Sequence, residues 1–278
     1  MASDERSAVV TGASSGIGEA VALRLARGGW RVLAGVRREE DAERLQDQGL
    51  KPLWLDVTDP ESIAAAAVRV DEQPLAGLVN NAGVAVSMPL ELLPLDELRR
   101  QLEINVVGQV AVTQAFLPAL RRGRGRIVNV GSIAGRSALP FLGAYAASKH
   151  ALEAITDSLR VELRPFGIEV AVVEPGTIAT PIWTNGAETF QRIAASLPDG
   201  ALSAYAERLA AFREAAAAAG RRGEPAEKVA EAVEHALTVE RPRTRYVVGR
   251  DAKRRVQVER LPDRWRDRVY ERVLLRSG

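Results

Sequence analysis

Short β-branched runs alternate along this chain with longer stretches whose apolar residues repeat at helical spacing. The runs are SAVV before Thr11, RVLAGV from Arg31, KPLWLDV from Lys51, GLVN from Gly77, RIVNV from Arg126, IEVAVVE from Ile168 and RYVVG from Arg245. Short apolar runs bounded by turn residues predict buried strands. Between them Ile17, Ala20, Val21 and Leu25, and further on Leu152, Ile155, Leu159 and Leu163, keep to one helix face. Strands alternating with helices predict an α/β fold, a doubly wound parallel sheet of about seven strands in a single domain.

Two segments break the alternation. Residues 181–224 are long, Ala-rich and helix-prone, and residues 251–278 form a basic tail. In the tail Leu261, Trp265, Val269 and Val273 recur every four residues, with Tyr270 and Leu274 alongside. That pattern predicts an amphipathic basic helix, expected to pack on the protein's own body or a second subunit in preference to a membrane surface.

Nearly every unusual residue falls just after a predicted strand: Gly12, Arg37, Asp56, Asn80 to Gly83, Ser132, then Pro175 and Gly176. In an open parallel sheet those strand ends share one edge, where ligands bind. Residues distant in sequence are therefore expected to meet in one cleft.

Composition narrows the chemistry available there. The 278 residues are 46% apolar, enough for one core, and 38 Lys and Arg against 36 Asp and Glu leave a net charge of +2, not the basic footprint of a nucleic-acid binder. Cysteine is absent and the two histidines are His150 and His235, so thiol chemistry is excluded and no metal site is expected. No stretch approaches the roughly 18 apolar residues of a membrane span, and MASDERSAVV lacks the apolar core of a secretory signal, so a cytoplasmic location is expected.

The stretch TGASSGIG places Gly12, Gly16 and Gly18 between the first strand and its helix, where backbone N–H groups and a helix N-terminus can receive a pyrophosphate. A P-loop needs lysine after the last glycine, and Glu19 stands there. Tyr145 and Lys149 are four apart on a predicted helix, so they share a face. A neighbouring ammonium favours phenolate, and Lys149 is expected to lower the Tyr145 pKa and make it a usable acid and base. Ser132 follows a strand and points its hydroxyl into the cleft. His150, one residue past Lys149, turns about 100° away from that face, and His235 sits in an amphipathic helix; neither is given a role.

Taken together these motifs resemble the short-chain dehydrogenase/reductase family, from about Ser7 to Thr180 with a weaker echo in RYVVG. The family's glycine pattern is matched at Gly12, Gly16 and Gly18, its N-N-A-G at Asn80 to Gly83, and its helical asparagine at Asn105. Its serine is matched at Ser132, its Y-x-x-x-K at Tyr145 and Lys149, and its P-G-x-x-x-T at Pro175, Gly176 and Thr180. The resemblance implies a Rossmann-like fold and an NAD(P)-dependent oxidoreductase interconverting an alcohol with a ketone or aldehyde. It implies Ser132, Tyr145 and Lys149 as catalytic centre, with Asn105 holding a water that relays protons to Lys149. The expected cofactor contacts are Gly12, Ser14, Ser15, Gly16, Ile17, Gly18, Arg37, Asp56, Val57, Asn80, Ala82, Gly83, Tyr145, Lys149, Pro175, Gly176, Ile178 and Thr180. Among these Asp56 would bond the adenine amino group, Val57 border its ring, and Lys149 contact the nicotinamide ribose. A homodimer or homotetramer through the helices of Asn105 and Tyr145 is implied as well.

NADP(H) is the expected cofactor, with NAD(H) as the alternative. An acid at the end of the second strand would repel the extra phosphate of NADP, but Val36 stands there, followed by Arg37 and Arg38. Glu39 is the counter-signal, and Ser15 stands where a second basic residue is often found. Residues 1–250 are expected to form one dinucleotide-binding and catalytic domain, with a substrate lid at about 181–224. Trp183, Phe190, Leu202, Tyr205, Leu209 and Phe212 of that lid, with LPFLG, Val84, Val86 and Met88, fit a medium to large apolar substrate of retinoid, steroid or aliphatic type. The rival class is a cofactor-binding regulator without turnover, from which the tyrosine or lysine is typically lost.

Overall fold

The structure, a computed structural model, describes residues 6–71 and 73–275, and their side chains except Ala219 and 273–275. Its strands are β1 (Ser7–Val10), β2 (Arg31–Val36), β3 (Lys51–Trp54), β4 (Gly77–Asn80), β5 (Arg126–Val130), β6 (Glu169–Pro175) and β7 (Arg245–Val248). All pairings are parallel and form one 7-stranded sheet in the order β3-β2-β1-β4-β5-β6-β7. Each is one of the seven apolar runs.

The period-two alternation of the strands divides the core. Ala8 and Val10 point to one face with Val32, Ala34 and Val36, and there meet Val21, Ala22 and Leu25 of α1 (Gly16–Arg27), Leu45 of α2 (Glu39–Asp47) and Val229 and Val233 of α9 (Glu227–Thr238). Val9, Leu33, Leu53 and Leu78 point the other way, onto Ile63 and Val70 of α3 (Pro60–Asp71) and Val112, Phe116 and Leu120 of α5 (Gly108–Gly123). Helices on both faces explain why the strands are continuously apolar and not alternately polar. The chain runs outward from β1 to β3, then crosses to β4 on the other side of β1. That crossing makes a topological switch point, and the cleft outside the strand ends is where this architecture binds ligands.

A third apolar cluster lies beyond the sheet. It joins Val86, Met88 and Leu93 to Phe190 and Ile193 of α7 (Ile182–Ser196) and to Leu209 and Phe212 of α8 (Ala206–Arg221). The segment expected as a lid is thus two helices, and Phe190, Leu202, Leu209 and Phe212 pack it onto the body. After β7 come α10 (Arg250–Val258) and α11 (Asp263–Leu275), the latter against α8. Among the described side chains of α11 Tyr270 is the buried one, whereas Leu261 and Trp265 of the expected apolar stripe are exposed. The side chains of Val273 and Leu274 lie outside the described residues. No described helix is long and apolar enough to cross a membrane.

Candidate active site

Thr11 follows β1, and its Oγ1 accepts hydrogen bonds from the backbone N–H groups of Asn81 and Ala82, both at 2.9 Å. Asn81 returns Nδ2 to the carbonyls of Thr11 (3.0 Å) and Gly12 (3.1 Å). The loops after β1 and β4 are locked together by this exchange. Gly12 and Gly16 adopt φ +61° and +59°, the left-handed region that disfavours other residues. A side chain at Gly18 would collide with the Gly12 carbonyl and Asn81, so glycine there lets α1 approach the loop.

The cleft above these loops has a cavity volume of about 400 Å³. Its walls include Gly12, Ser14, Ser15, Gly16 and Ile17 from the first loop, Arg37 after β2, and Asp56 and Val57 after β3. Ala82 and Gly83 follow from β4, then Ser132, Tyr145 and Lys149, and finally Pro175, Gly176, Ile178 and Thr180 after β6. Three residues expected at the cofactor or in catalysis do not line it. Gly18 lies behind the loop. Asn80 turns into the interior, donating from Nδ2 to Thr113 Oγ1 and Asn129 Oδ1, both at 2.9 Å, because β4 alternates its side chains and Asn81 takes the cleft side. Asn105 is fully buried in a π-helical turn, Glu103–Val107, between α4 (Leu95–Leu102) and α5.

That turn gives Asn105 its geometry. Widened turns of this kind recur at functional sites, and here the carboxamide clasps Val84, accepting from its N–H and donating to its carbonyl at 2.9 Å each. Nδ2 also donates to Ser148 Oγ at 3.0 Å, which in turn donates to the Tyr145 carbonyl at 2.7 Å. Asn105 therefore fixes the loop after β4 against α6 (Gly143–Glu162), the helix that carries Tyr145 and Lys149.

Ser132 follows β5 in extended conformation, and its Oγ accepts the Ala134 N–H at 3.1 Å. Lys149 is buried and donates from Nζ to the Val130 carbonyl at 2.9 Å, with Nζ 5.8 Å from the centre of the Tyr145 ring. Burial lowers its pKa to about 8, against the opposing pull of Glu153. The Tyr145 pKa is raised, where the sequence led us to expect it lowered. Burial is the dominant cause, and the Ser132 hydroxyl and the charge of Arg255 pull the other way.

Beneath the site lies a buried acid pair. Glu174 of β6 is fully buried and meets Arg136 Nε at 2.8 Å, and Glu153 meets Arg245 Nε at 3.2 Å. Burial, then the charge of Glu174, pushes the Glu153 pKa up to about 7. Neither acid is singled out by the sequence, since each sits in an ordinary helix or strand pattern. Arg44 is similar: from α2 it reaches Glu19 and donates to the Ser14 carbonyl at 2.5 Å, bracing the first loop. Arg255 and Asp251 of α10 also reach the site, the first lining the cleft and the second accepting the Thr177 N–H at 2.7 Å. His150 is exposed and bonded to the Ala146 carbonyl, and His235 meets the Tyr246 hydroxyl at 3.0 Å.

These parts suit a dinucleotide: a left-handed glycine loop opening a helix, a cation and an acid at the far strand ends, and two hydroxyls beside an ammonium. The family model described as short chain dehydrogenase matches residues 6–190. The chain belongs to the short-chain dehydrogenase/reductase family. It is an NAD(P)-dependent oxidoreductase acting on CH–OH groups. Among its relatives, retinol dehydrogenase 5 of Mus musculus is 41% identical over 260 residues, covering 88% of this chain and 80% of that one. A 3-amino-tetrahydro-pyrrolizinone reductase of Xenorhabdus hominickii is 40% identical, with 89% and 88% covered. A short-chain dehydrogenase from Burkholderia cenocepacia, solved in complex with NADP, superposes with a TM-score of 0.74 at 29% identity, covering 97% of this chain and 98% of that one.

Proposed function

We propose that this short-chain dehydrogenase interconverts a medium to large, largely apolar alcohol with its ketone or aldehyde and prefers NADP(H) to NAD(H). In this reading Ser132 positions the substrate oxygen, and Tyr145 gives it a proton in reduction or takes one in oxidation. A raised pKa keeps the phenol protonated near neutral pH, the form that carbonyl reduction requires. Lys149, with a pKa of about 8, stays largely cationic at neutral pH and holds positive charge beside the phenol. Asn105 is a positioning residue, through Val84 and Ser148. The nicotinamide, when bound, supplies or accepts the hydride. The apolar character of the substrate is supported by Val84, Val86, Leu142, Ile182 and Trp183 along the cleft, and by a relative named for retinol.

The observation that carries the NADP(H) preference is Arg37. It lines the cleft directly after β2, where no acid stands, while Arg38 does not. Its present partner is Asp56, 3.7 Å away, with the arginine 66% exposed. An exposed pair of that kind is worth about 0–1 kcal/mol, whereas charge-assisted bonds to a phosphate are worth roughly 1.5–3 kcal/mol each. The guanidinium is therefore free to turn to a 2′-phosphate. The test compares kcat/KM with NADPH and NADH for the wild type and Arg37→Ala. The expected result is a preference of about tenfold or more for NADPH, largely lost in the variant. Equal use of both cofactors by the wild type, or an undiminished preference in the variant, removes Arg37 from the phosphate site.

A further inference from the structure

We propose that Arg255 anchors a carboxylate carried by the substrate, so that the cleft takes an acidic alcohol or ketone in preference to its neutral counterpart. The inference rests on the oxidoreductase reading above and sharpens its substrate class.

Arg255 comes from α10, and its side chain is oriented by Ser137, on the loop between Ser132 and Tyr145. Nε donates to Ser137 Oγ at 3.0 Å, and Nη2 to Oγ at 2.7 Å and to the carbonyl at 3.1 Å. Ser137 is itself fully buried and lies 2.9 Å from the Tyr270 hydroxyl of α11, which bonds Glu259. The guanidinium is thus held from two helices while still lining the cleft. Among the described residues no carboxylate lies within ion-pair distance of it; its bonds run to the Ser137 hydroxyl and carbonyl, and the carboxylates of Asp251 and Glu259 act on it only from farther away.

The electrostatics of the cleft agree. Its charged lining consists of Arg37, Asp56, Arg100, Lys149 and Arg255. The one acid of that lining, Asp56, stands beside Arg37 at the far strand end, and the cations of the Tyr145 half are answered only from behind the wall, Lys149 by Glu153 and Arg255 by Asp251 and Glu259. Burial pushes the Arg255 pKa down, the sign of a desolvated cation, and its charge is felt by the Tyr145 phenol. Burying a cation without an ion-pair partner is costly; Ser137 takes Nε and both Nη2 hydrogens, which leaves Nη1 to meet a carboxylate oxygen. The ligand that answers it has an apolar body against Val84, Val86 and Trp183 and an anionic group close to the reacting carbon.

The test uses the full chain as wild type, Arg255→Met and Arg255→Lys, with thermal melting and NADPH affinity measured for each. Reduction of a medium-chain γ-keto acid is compared with that of its methyl ester. The expected ratio of kcat/KM, acid over ester, is about tenfold or more in the wild type, close to one in Arg255→Met and intermediate in Arg255→Lys. Binding of octanoate against octanamide to the NADP⁺ complex, by calorimetry, gives the same comparison without turnover. Octanoate is expected to bind the wild type about tenfold more tightly and to lose that margin in Arg255→Met. If no ketone is reduced, the oxidoreductase reading fails, and the octanoate margin still decides the role of Arg255. The proposal is overturned by an acid-to-ester or octanoate margin near one in the wild type, by a margin that survives in Arg255→Met, or by a loss of NADPH affinity in that variant, which would assign the cation to the cofactor.

Discussion

Tyr145 holds its proton against two opposing influences. Burial raises its pKa, while the Ser132 hydroxyl and the Arg255 charge draw it down. Removing Ser132 therefore has two expected effects. Ser132→Ala loses the group proposed to orient the substrate oxygen, at an expected cost of about a hundredfold in kcat. It also releases the phenol to a higher pKa, so the rising limb of the pH–rate profile for alcohol oxidation, which needs phenolate, moves to higher pH. A variant whose profile stays in place or moves downward would remove the serine from the phenol's surroundings. Glu153 titrates by the same physics with a consequence for stability. Its pKa rises from 4.5 to about 7 on folding, so the native state binds the extra proton in that window and stability falls as pH climbs through it, levelling off above about 7. Glu153→Gln should flatten that fall. Urea unfolding of both proteins at about pH 5 and about pH 8 checks it, and an unchanged slope contradicts it.

At the scale of elements, the strands and the first site loop were readable because local pattern decides them. Seven apolar runs became seven strands, and TGASSGIG became the turn into α1. The orientation of the C-terminal helices was not readable in the same way. The pattern puts Leu261, Trp265, Val269 and Val273 on one stripe with Tyr270 alongside, but α11 starts only at Asp263, after Pro262. The break separates Leu261 from the helix, and within it Trp265 is exposed, Val269 half-buried and Tyr270 buried. Arg255 was invisible among many arginines, since only the packing of α10 beside Ser137 distinguishes it. The lid residues were ambiguous for a related reason: a helical stripe reads the same whether it covers a ligand or a neighbouring helix, and here Phe190 and Phe212 do the latter. The Tyr270 hydroxyl ties α11 to the site loop through Ser137. Tyr270→Phe is expected to cost about 1 kcal/mol of stability and to widen the spread of acid-to-ester ratios among substrates of different length, as Ser137 loses one of its two restraints. A Tm within error of the wild type would show that the bond does not hold the helix.

For the whole molecule, the sheet gathers residues from six strand ends and from α10 into one cleft, and family membership says what such clefts do. Val107 and Val161 are exposed, at 50% and 68%, on the surfaces of the π-turn and α6. Self-association through this side is expected, so light scattering after gel filtration should give a multiple of the 30.0 kDa chain. A single-chain mass would contradict it. The central claim is that Tyr145 passes the proton while NADP(H) handles the hydride. The measurement that meets it most directly is NADPH absorbance with a panel of apolar ketones and aldehydes, neutral and acidic, for the wild type and Tyr145→Phe. Turnover by the wild type is expected, with a fall of about a hundredfold or more in the variant and NADPH affinity within about twofold between the two. A phenylalanine variant that keeps most of the wild-type rate would contradict it.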